Sequence, residues 1–129
     1  MKQEFEFLPG FDKEHLLAYY SNDLEAIKEM FMITNLTLED DLHKVINAVN
    51  DKDIEALRRA VHAIRPLFYV LGLPELETEI KNFYALTLES ETVDALTKEF
   101  MHAWQKLLKG QNMINEQYKL LESMPAVTQ

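Results

Sequence analysis

The sequence predicts an all-α fold, an antiparallel up-down four-helix bundle preceded by a short N-terminal helical segment. Four stretches carry apolar residues at alternating spacings of three and four, which places those side chains on one face of a helix. The 129 residues include only three glycines and four prolines, so few positions interrupt a helix. The breaks between the stretches are short, and short connections favour helices that pack side by side in antiparallel order.

The composition excludes several classes of protein. The chain has no cysteine, which removes disulfides and thiolate metal sites and fits a reducing cytoplasm. The first ten residues carry charges and lack a long apolar run, so we expect neither a signal peptide nor membrane insertion. A formal net charge of −9 repels nucleic acid phosphates, and we expect no nucleic acid partner. The sequence therefore favours a soluble, cytoplasmic protein, and we expect it to be monomeric.

A polar break separates the N-terminal segment from the first long helix. Asp12–Tyr20 is predicted to form the short segment, which we interpret as a lid, and His15 within it is expected to have a lid or surface role. Asn22, followed three residues later by Glu25, has the character of a capping box and predicts the start of a long helix. That helix ends near Asn50–Asp51, where short polar side chains favour a turn. Its predicted core stripe consists of Leu24, Ile27, Phe31, Leu38, Leu42, Val45 and Val49.

The third helix has the clearest pattern, with predicted bounds Ile54–Leu71. Its buried stripe consists of Ile54, Leu57, Val61, Ile64, Phe68 and Leu71. Gly72 is the predicted structural stop, and Pro74 suits the first turn of a fourth helix. The fourth helix is expected to bury Leu76, Ile80 and Phe83.

The last helix is predicted from an apolar series between Val93 and Leu121. Its stripe consists of Val93, Leu96, Phe100, Ala103, Leu107, Ile114, Tyr118 and Leu121. Gly110 lies inside this series, where a glycine weakens a helix by roughly 1 kcal/mol relative to alanine. Residues 123–129 are predicted to form a flexible tail.

All the arginines fall within eight residues of the third helix, whereas the ten lysines are spread along the chain. They are Arg58, Arg59 and Arg65. A guanidinium group is a planar fork of donors that suits phosphate, so this confinement indicates a local anion site; a solvated helix face is the alternative. On a helical wheel, His62 lies roughly 130° from the centre of the apolar stripe and points outward. Arg58 and Arg65 are expected to flank its imidazole.

An exposed histidine beside such cations can accept a phosphoryl group. A histidine side chain titrates at about pH 6.5, so at pH 7 most such rings keep a nucleophilic lone pair on one nitrogen. Arginine can then donate charge-assisted hydrogen bonds to the phosphoryl oxygens. Pro66 offers no N–H to the carbonyl of His62, so the helix should be kinked or loosened there, and the small ring leaves room for a partner. A harmless bend is the other interpretation of this proline.

The segment Ala60–Leu73, AVHAIRPLFYVLGL, resembles the signature of histidine-containing phosphotransfer (HPt) domains. That signature is His-x-x-Lys/Arg-Gly followed by Leu-Gly. His62, Arg65 and the pair Leu71-Gly72 match it, whereas Pro66 stands where the glycine is usual and resembles a variant of bacterial hybrid sensor kinases. The resemblance is specific around His62 and loose elsewhere. It covers residues 11–122 of a single domain that spans 1–129.

The resemblance implies a phosphorelay carrier built on a four-helix bundle. His62 would be the phosphoacceptor and Arg65 the cation that supports the phosphoryl group. The partner would be the receiver domain of a response regulator or hybrid histidine kinase, whose aspartate gives or takes the group. Because the receiver carries the Mg²⁺ and most of the catalysis, this chain would need no cofactor or metal and would not be an enzyme. The expected docking residues are Arg58, Arg59, Pro66 and Tyr69.

Two other functions match parts of the sequence. Glu99-x-x-His102 and Asp40-x-x-His43 have the carboxylate-to-histidine spacing of di-iron bundle proteins, whose motifs must face inward. Both histidines lie on the outer side of their helical wheels, which argues against a buried metal centre. The second alternative is an adaptor bundle that binds a signalling partner without being phosphorylated. An intact His62 argues against it.

Overall fold

The structure, a computed structural model, describes residues 5–124, and every regular element within them is helical. The five α-helices are α1 (Lys13–Tyr19), α2 (Leu24–Asn50), α3 (Ile54–Val70), α4 (Pro74–Glu89) and α5 (Thr97–Glu122). The predicted all-α class is confirmed. No helix within residues 5–124 is both long enough and apolar enough to cross a membrane. Of the predicted tail, residues 125–129 lie outside the described part of the chain.

The four long helices enclose one hydrophobic core. Helices α2 and α4 each pack against both α3 and α5. The predicted stripes supply most of this core, including the fully buried rings of Phe31 and Phe68. Four predicted core residues are only half-buried, because they lie near helix ends where solvent reaches them: Leu24, Val49, Ile54 and Tyr118.

Helices α1, α2 and α3 end with the same backbone device. The residue after each helix cap has a positive φ, which is 54° at Ser21, 55° at Lys52 and 69° at Gly72. The next amide then donates to a carbonyl of the last helical turn, as Leu73 N does to Phe68 O at 2.9 Å. This arrangement satisfies carbonyls that have no partner inside the helix and turns the chain sharply into the next helix.

The N-terminus of α2 differs from the prediction. Asn22 is not the cap, because its φ of 62° places it in the left-handed turn that ends α1. Asp23 is the cap, and its carboxylate accepts a hydrogen bond from the amide of Ala26 at 3.1 Å. Asparagine tolerates the left-handed region better than most residues, so its use in the turn is favourable. Asp53 caps α3 in the same way through the amide of Ala56.

Helix α1 is held on the turn between α3 and α4. Its buried Leu16 packs against Gly72, where a Cβ atom would lie 2.7 Å from Leu16 Cγ. The amide of Asp12 donates to the carbonyl of Gly72 at 2.8 Å, and the Tyr20 hydroxyl donates to the carbonyl of Val70 at 3.0 Å. Burial, with a smaller effect of Tyr19, raises the pKa of Tyr20 to about 12. These contacts fix α1 at the C-terminal end of α3.

The last helix begins later than predicted. Val93 and Leu96 are buried, but Leu96 belongs to a 3₁₀ turn (Asp94–Leu96), and α5 starts at Thr97. Gly110 is buried where Leu76 of α4 packs directly on the backbone of α5, so a Cβ atom there would overlap Leu76. Glycine weakens the helix at this position, but its lack of a side chain lets α4 pack closely against α5.

Candidate functional site

The candidate site lies on the outer face of α3, opposite its core stripe. His62 is exposed, while its neighbours Val61 and Ile64 are buried. Helix α3 continues through Pro66 to Val70, so the proline does not end the helix. An open cleft of about 440 Å³ between α3 and α4 brings together four residues that the sequence singled out: His62, Arg65, Pro66 and Tyr69.

Helix α4 forms the other wall of this cleft, which the sequence did not predict. Its contribution consists of Glu77, Thr78 and Lys81. Lys81 brings a second cation to the cleft beside Arg65. The position of Gly72 in the sequence is the signal that could have located Lys81. Because the tight turn at Gly72 folds α4 back along α3, residues at similar distances on either side of the turn come close together.

Tyr84 of α4 is an aromatic neighbour of the predicted acceptor that the sequence pattern did not indicate. Its ring centroid lies 5.4 Å from that of His62, with the rings tilted by 39°. The guanidinium carbon of Arg65 lies 5.0 Å from the same centroid, over the ring, which is a cation–π geometry. Arg65 and His62 therefore share one aromatic neighbour.

Arg58 lies elsewhere than the sequence predicted. Its Nε donates to the carbonyl of Thr87 at 2.7 Å, and its second terminal nitrogen donates to the carbonyl of Ser90 at 2.6 Å. It also pairs with Glu55. These carbonyls belong to the C-terminal end of α4. The last carbonyls of a helix have no amide partner within the helix, so an arginine side chain is a favourable donor to them. The prediction that two guanidinium groups flank His62 is corrected, since that of Arg58 is directed at the end of α4.

The remaining predicted docking residues are on the surface. Arg59 is exposed on the first half of α3, and Pro66 is exposed on the second half. The side chain of Tyr69 is 47% exposed and forms an aromatic cluster with α1, with its ring centroid 4.5 Å from that of His15 and 5.7 Å from that of Tyr19. His15 Nε2 lies 2.8 Å from the carbonyl oxygen of Tyr69, so the ring donates there in its Nε2–H form. This cluster places α1 beside the cleft.

Comparison with known proteins identifies the fold. No family model and no curated protein sequence matches the chain. Among solved structures, it is similar to the HPt domain of the Hpt sensor hybrid histidine kinase from Shewanella, with a TM-score of 0.75. The alignment covers 91% of this chain and 97% of that domain, at 14% sequence identity. The chain has the fold of an HPt domain. The resemblance around His62 predicted this fold.

The histidines of the two carboxylate-to-histidine motifs, His43 and His102, belong to no metal-binding cluster within residues 5–124. His43 is exposed, and His102 contacts Glu79 at 3.3 Å with 61% of its side chain exposed. Residues 5–124 bring no three histidine, aspartate or glutamate side chains together in a geometry that could hold a metal ion. The inward-facing ligand set of a di-iron bundle is therefore not formed by these histidines.

Proposed function

We propose that this chain is a phosphorelay phosphocarrier, which accepts a phosphoryl group on His62 from a receiver-domain aspartate and passes it to another receiver. The observation that carries the proposal is the exposed imidazole of His62, which shares an open cleft with Arg65 and Lys81. The HPt fold supports the same function. An up-down antiparallel order of the four long helices is part of the proposal, and the three-residue connections between α2, α3 and α4 are short enough for it.

The proposed transfer is a nucleophilic displacement at phosphorus. The unprotonated ring nitrogen of His62 attacks the aspartyl phosphate of the receiver, so that a P–N bond forms while the P–O bond to the carboxylate breaks. The bonding electrons leave with the carboxylate, and the proton on the other ring nitrogen exchanges with water. Delivery to a second receiver reverses the step, with a carboxylate as nucleophile and the imidazole as leaving group. Exposure of His62 is required because both partners must reach it.

Arg65 and Lys81 provide the positive charge that the transferred group needs. A phosphoryl group carries close to two negative charges at neutral pH, about −1.5 to −2. Arg65 can donate directional charge-assisted hydrogen bonds to its oxygens, whereas Lys81 offers a compact point charge from the opposite wall of the cleft. In this proposal the receiver supplies Mg²⁺ and most of the catalysis. The chain therefore acts as a carrier without a cofactor of its own, and not as an enzyme.

The proposed partner is the receiver domain of a response regulator or hybrid histidine kinase. It would dock over the outer face of α3, on which Arg59, Pro66 and Tyr69 are exposed together with His62. We assign Arg58 to the packing of α3 on α4 instead, because its guanidinium already bonds two carbonyls of α4 and its end. The proposal places the protein in the cytoplasm as a monomer.

The proposal is tested by incubating the chain with Mg²⁺, acetyl phosphate and a panel of receiver domains that phosphorylate themselves from that donor. At least one receiver should produce a label on His62 that is lost in acid and stable in base. Binding of a receiver without any such label would favour the adaptor alternative. A label that persists at full stoichiometry after His62→Gln would move the acceptor to His15, His43 or His102.

A further inference from the structure

Tyr84 is in contact with both groups that the proposed transfer uses. It is half-buried on α4, and its ring centroid lies 5.4 Å from the ring centroid of His62 and 5.0 Å from the guanidinium carbon of Arg65. His62 and Arg65 lie three residues apart on α3, so one aromatic ring from the neighbouring helix can contact both. The specific part of the resemblance, the segment Ala60–Leu73, does not include this residue.

The position of the Tyr84 ring is fixed by the end of α4. The adjacent Phe83 is buried in the core with 4% exposure. The hydroxyl of the fully buried Thr87 donates to the carbonyl of Tyr84 at 2.6 Å. Arg58 in turn bonds the carbonyls of Thr87 and Ser90. The C-terminal part of α4 is therefore anchored both to α3 and to the core, and Tyr84 lies within this part of the helix.

We propose that Tyr84 is a positioning residue for phosphoryl transfer, a role that rests on the proposed function of His62. In the unphosphorylated chain its ring packs against the imidazole and limits the orientations of that exposed side chain. The same ring holds the Arg65 guanidinium until a phosphoryl group arrives. Arg65 then leaves the ring and donates to the phosphoryl oxygens, a change that breaks no covalent bond.

The direction of this change follows from the strengths of the two contacts. A cation–π contact at a partly exposed site is weak, whereas hydrogen bonds from a guanidinium to a phosphoryl dianion are charge-assisted and directional. The face of the ring, and not its hydroxyl, carries both contacts. Phenylalanine should therefore replace Tyr84 without loss, whereas an aliphatic side chain should not.

The first experiment is NMR of the unphosphorylated chain, with the ring C–H signals of His62 and the Nε–H signal of Arg65 as readouts. Tyr84→Leu should shift both signals because the ring current is lost, and Tyr84→Phe should leave them close to their original positions. Labelling with phosphoramidate then transfers the phosphoryl group to His62 as its P–N bond breaks and ammonia leaves. After labelling, the Arg65 signal should move, and it should reach the same position with and without the aromatic ring.

The second experiment is transfer kinetics against receiver concentration. Tyr84→Leu should lower the saturated rate about two- to five-fold, because the His62 imidazole is then no longer held in a limited set of orientations, and Tyr84→Phe should restore the rate. The half-saturation concentration of the receiver should change little. If Tyr84→Leu lowers the thermal midpoint, Tyr84→Met, unbranched and similar in length, carries the same expectations. If His62 is labelled but Tyr84→Leu changes neither the transfer kinetics nor the Arg65 signal, the role of Tyr84 is overturned and the phosphocarrier function stands. An unsubstituted chain that takes no label from receivers or phosphoramidate would overturn the phosphocarrier function and this inference together.

Discussion

The two halves of the outer face of α3 use the same side chain for different purposes. Arg58 and Arg65 are seven residues apart, two helical turns, and so lie on nearly the same side of the helix. In the first half, the Arg58 side chain is only 21% exposed and bonds two carbonyls at the end of α4. In the second half, the Arg65 guanidinium lies over an aromatic ring at the edge of an open cleft.

The difference between the two arginines lies in what they would lose to bind a phosphoryl group. Arg58 would have to leave two charge-assisted hydrogen bonds, each of which contributes about 1.5–3 kcal/mol. Arg65 would give up a cation–π contact of about 0.5–1 kcal/mol. A guanidinium engaged in strong hydrogen bonds belongs to the fold, whereas one held weakly beside a nucleophile is available for an incoming anion. The following variants test this division.

The largest effect is expected from His62→Gln, which should abolish phosphoryl acceptance. Its stability should remain within about 0.5 kcal/mol of the original, because the side chain is exposed and its loss removes a nucleophile and not core packing. Phosphohistidine detection and urea unfolding measure the two quantities. His43→Gln, which changes an exposed histidine of α2, is the matched control and should keep full acceptance. A His62→Gln chain that no longer folds would contradict the surface role assigned to this residue.

Arg65→Ala should slow transfer at saturating receiver by about ten-fold or more, because one charge-assisted contact to the phosphoryl group is lost. The free energy of unfolding should change little. Rapid-quench kinetics with a labelled receiver give the rate, and Arg65→Lys, which keeps the charge but not the planar fork, should recover part of it. A large drop in stability with a normal transfer rate would instead place Arg65 with Arg58 among the structural arginines.

Arg58→Ala should act mainly on stability, with a loss of about 3 kcal/mol or more of unfolding free energy, since it removes the donors to Thr87 and Ser90. Saturated transfer by the folded fraction should change less than it does in Arg65→Ala. Arg59→Ala is the control from the adjacent, exposed position and should leave the unfolding midpoint unchanged. If Arg58→Ala only raised half-saturation for the receiver, the docking role predicted from the sequence would be restored.

The smallest effects are expected at Pro66. Pro66→Gly should leave transfer unchanged, because glycine is also small and supplies an N–H that the proline lacks. Pro66→Glu should raise the half-saturation concentration of the receiver while the free bundle keeps its helicity, since bulk and negative charge would then meet the partner beside His62. Circular dichroism checks the fold, and titration with receiver checks docking. Equal kinetics for a folded Pro66→Glu variant would show that the partner does not dock over this face.

The sequence by itself determined the helices and the identity of the exposed histidine. The predicted third helix, Ile54–Leu71, matches α3 to within one residue, and α4 begins at Pro74 as predicted. These features depend on local rules: helical periodicity places the core stripe, glycine adopts a positive φ at the end of a helix, and proline suits a first turn. The cap of α2 was assigned one residue too early, because Asn22 and Asp23 both suit a cap and only the turn after α1 distinguishes them.

The tertiary structure decided which side chains surround His62. Arg58 and Arg65 are equivalent on a helical wheel, and their different surroundings arise because α4 ends beside one and presents Tyr84 to the other. Lys81 and Tyr84 enter the site from a separate helix, at a register set by the turn at Gly72 and by the packing of α4 on α3. Periodicity within one helix gives the direction of a side chain, but not the residue that it meets on the next helix. Which residue it contacts depends on the relative offset and rotation of the two packed helices, and the packing of the whole core determines both.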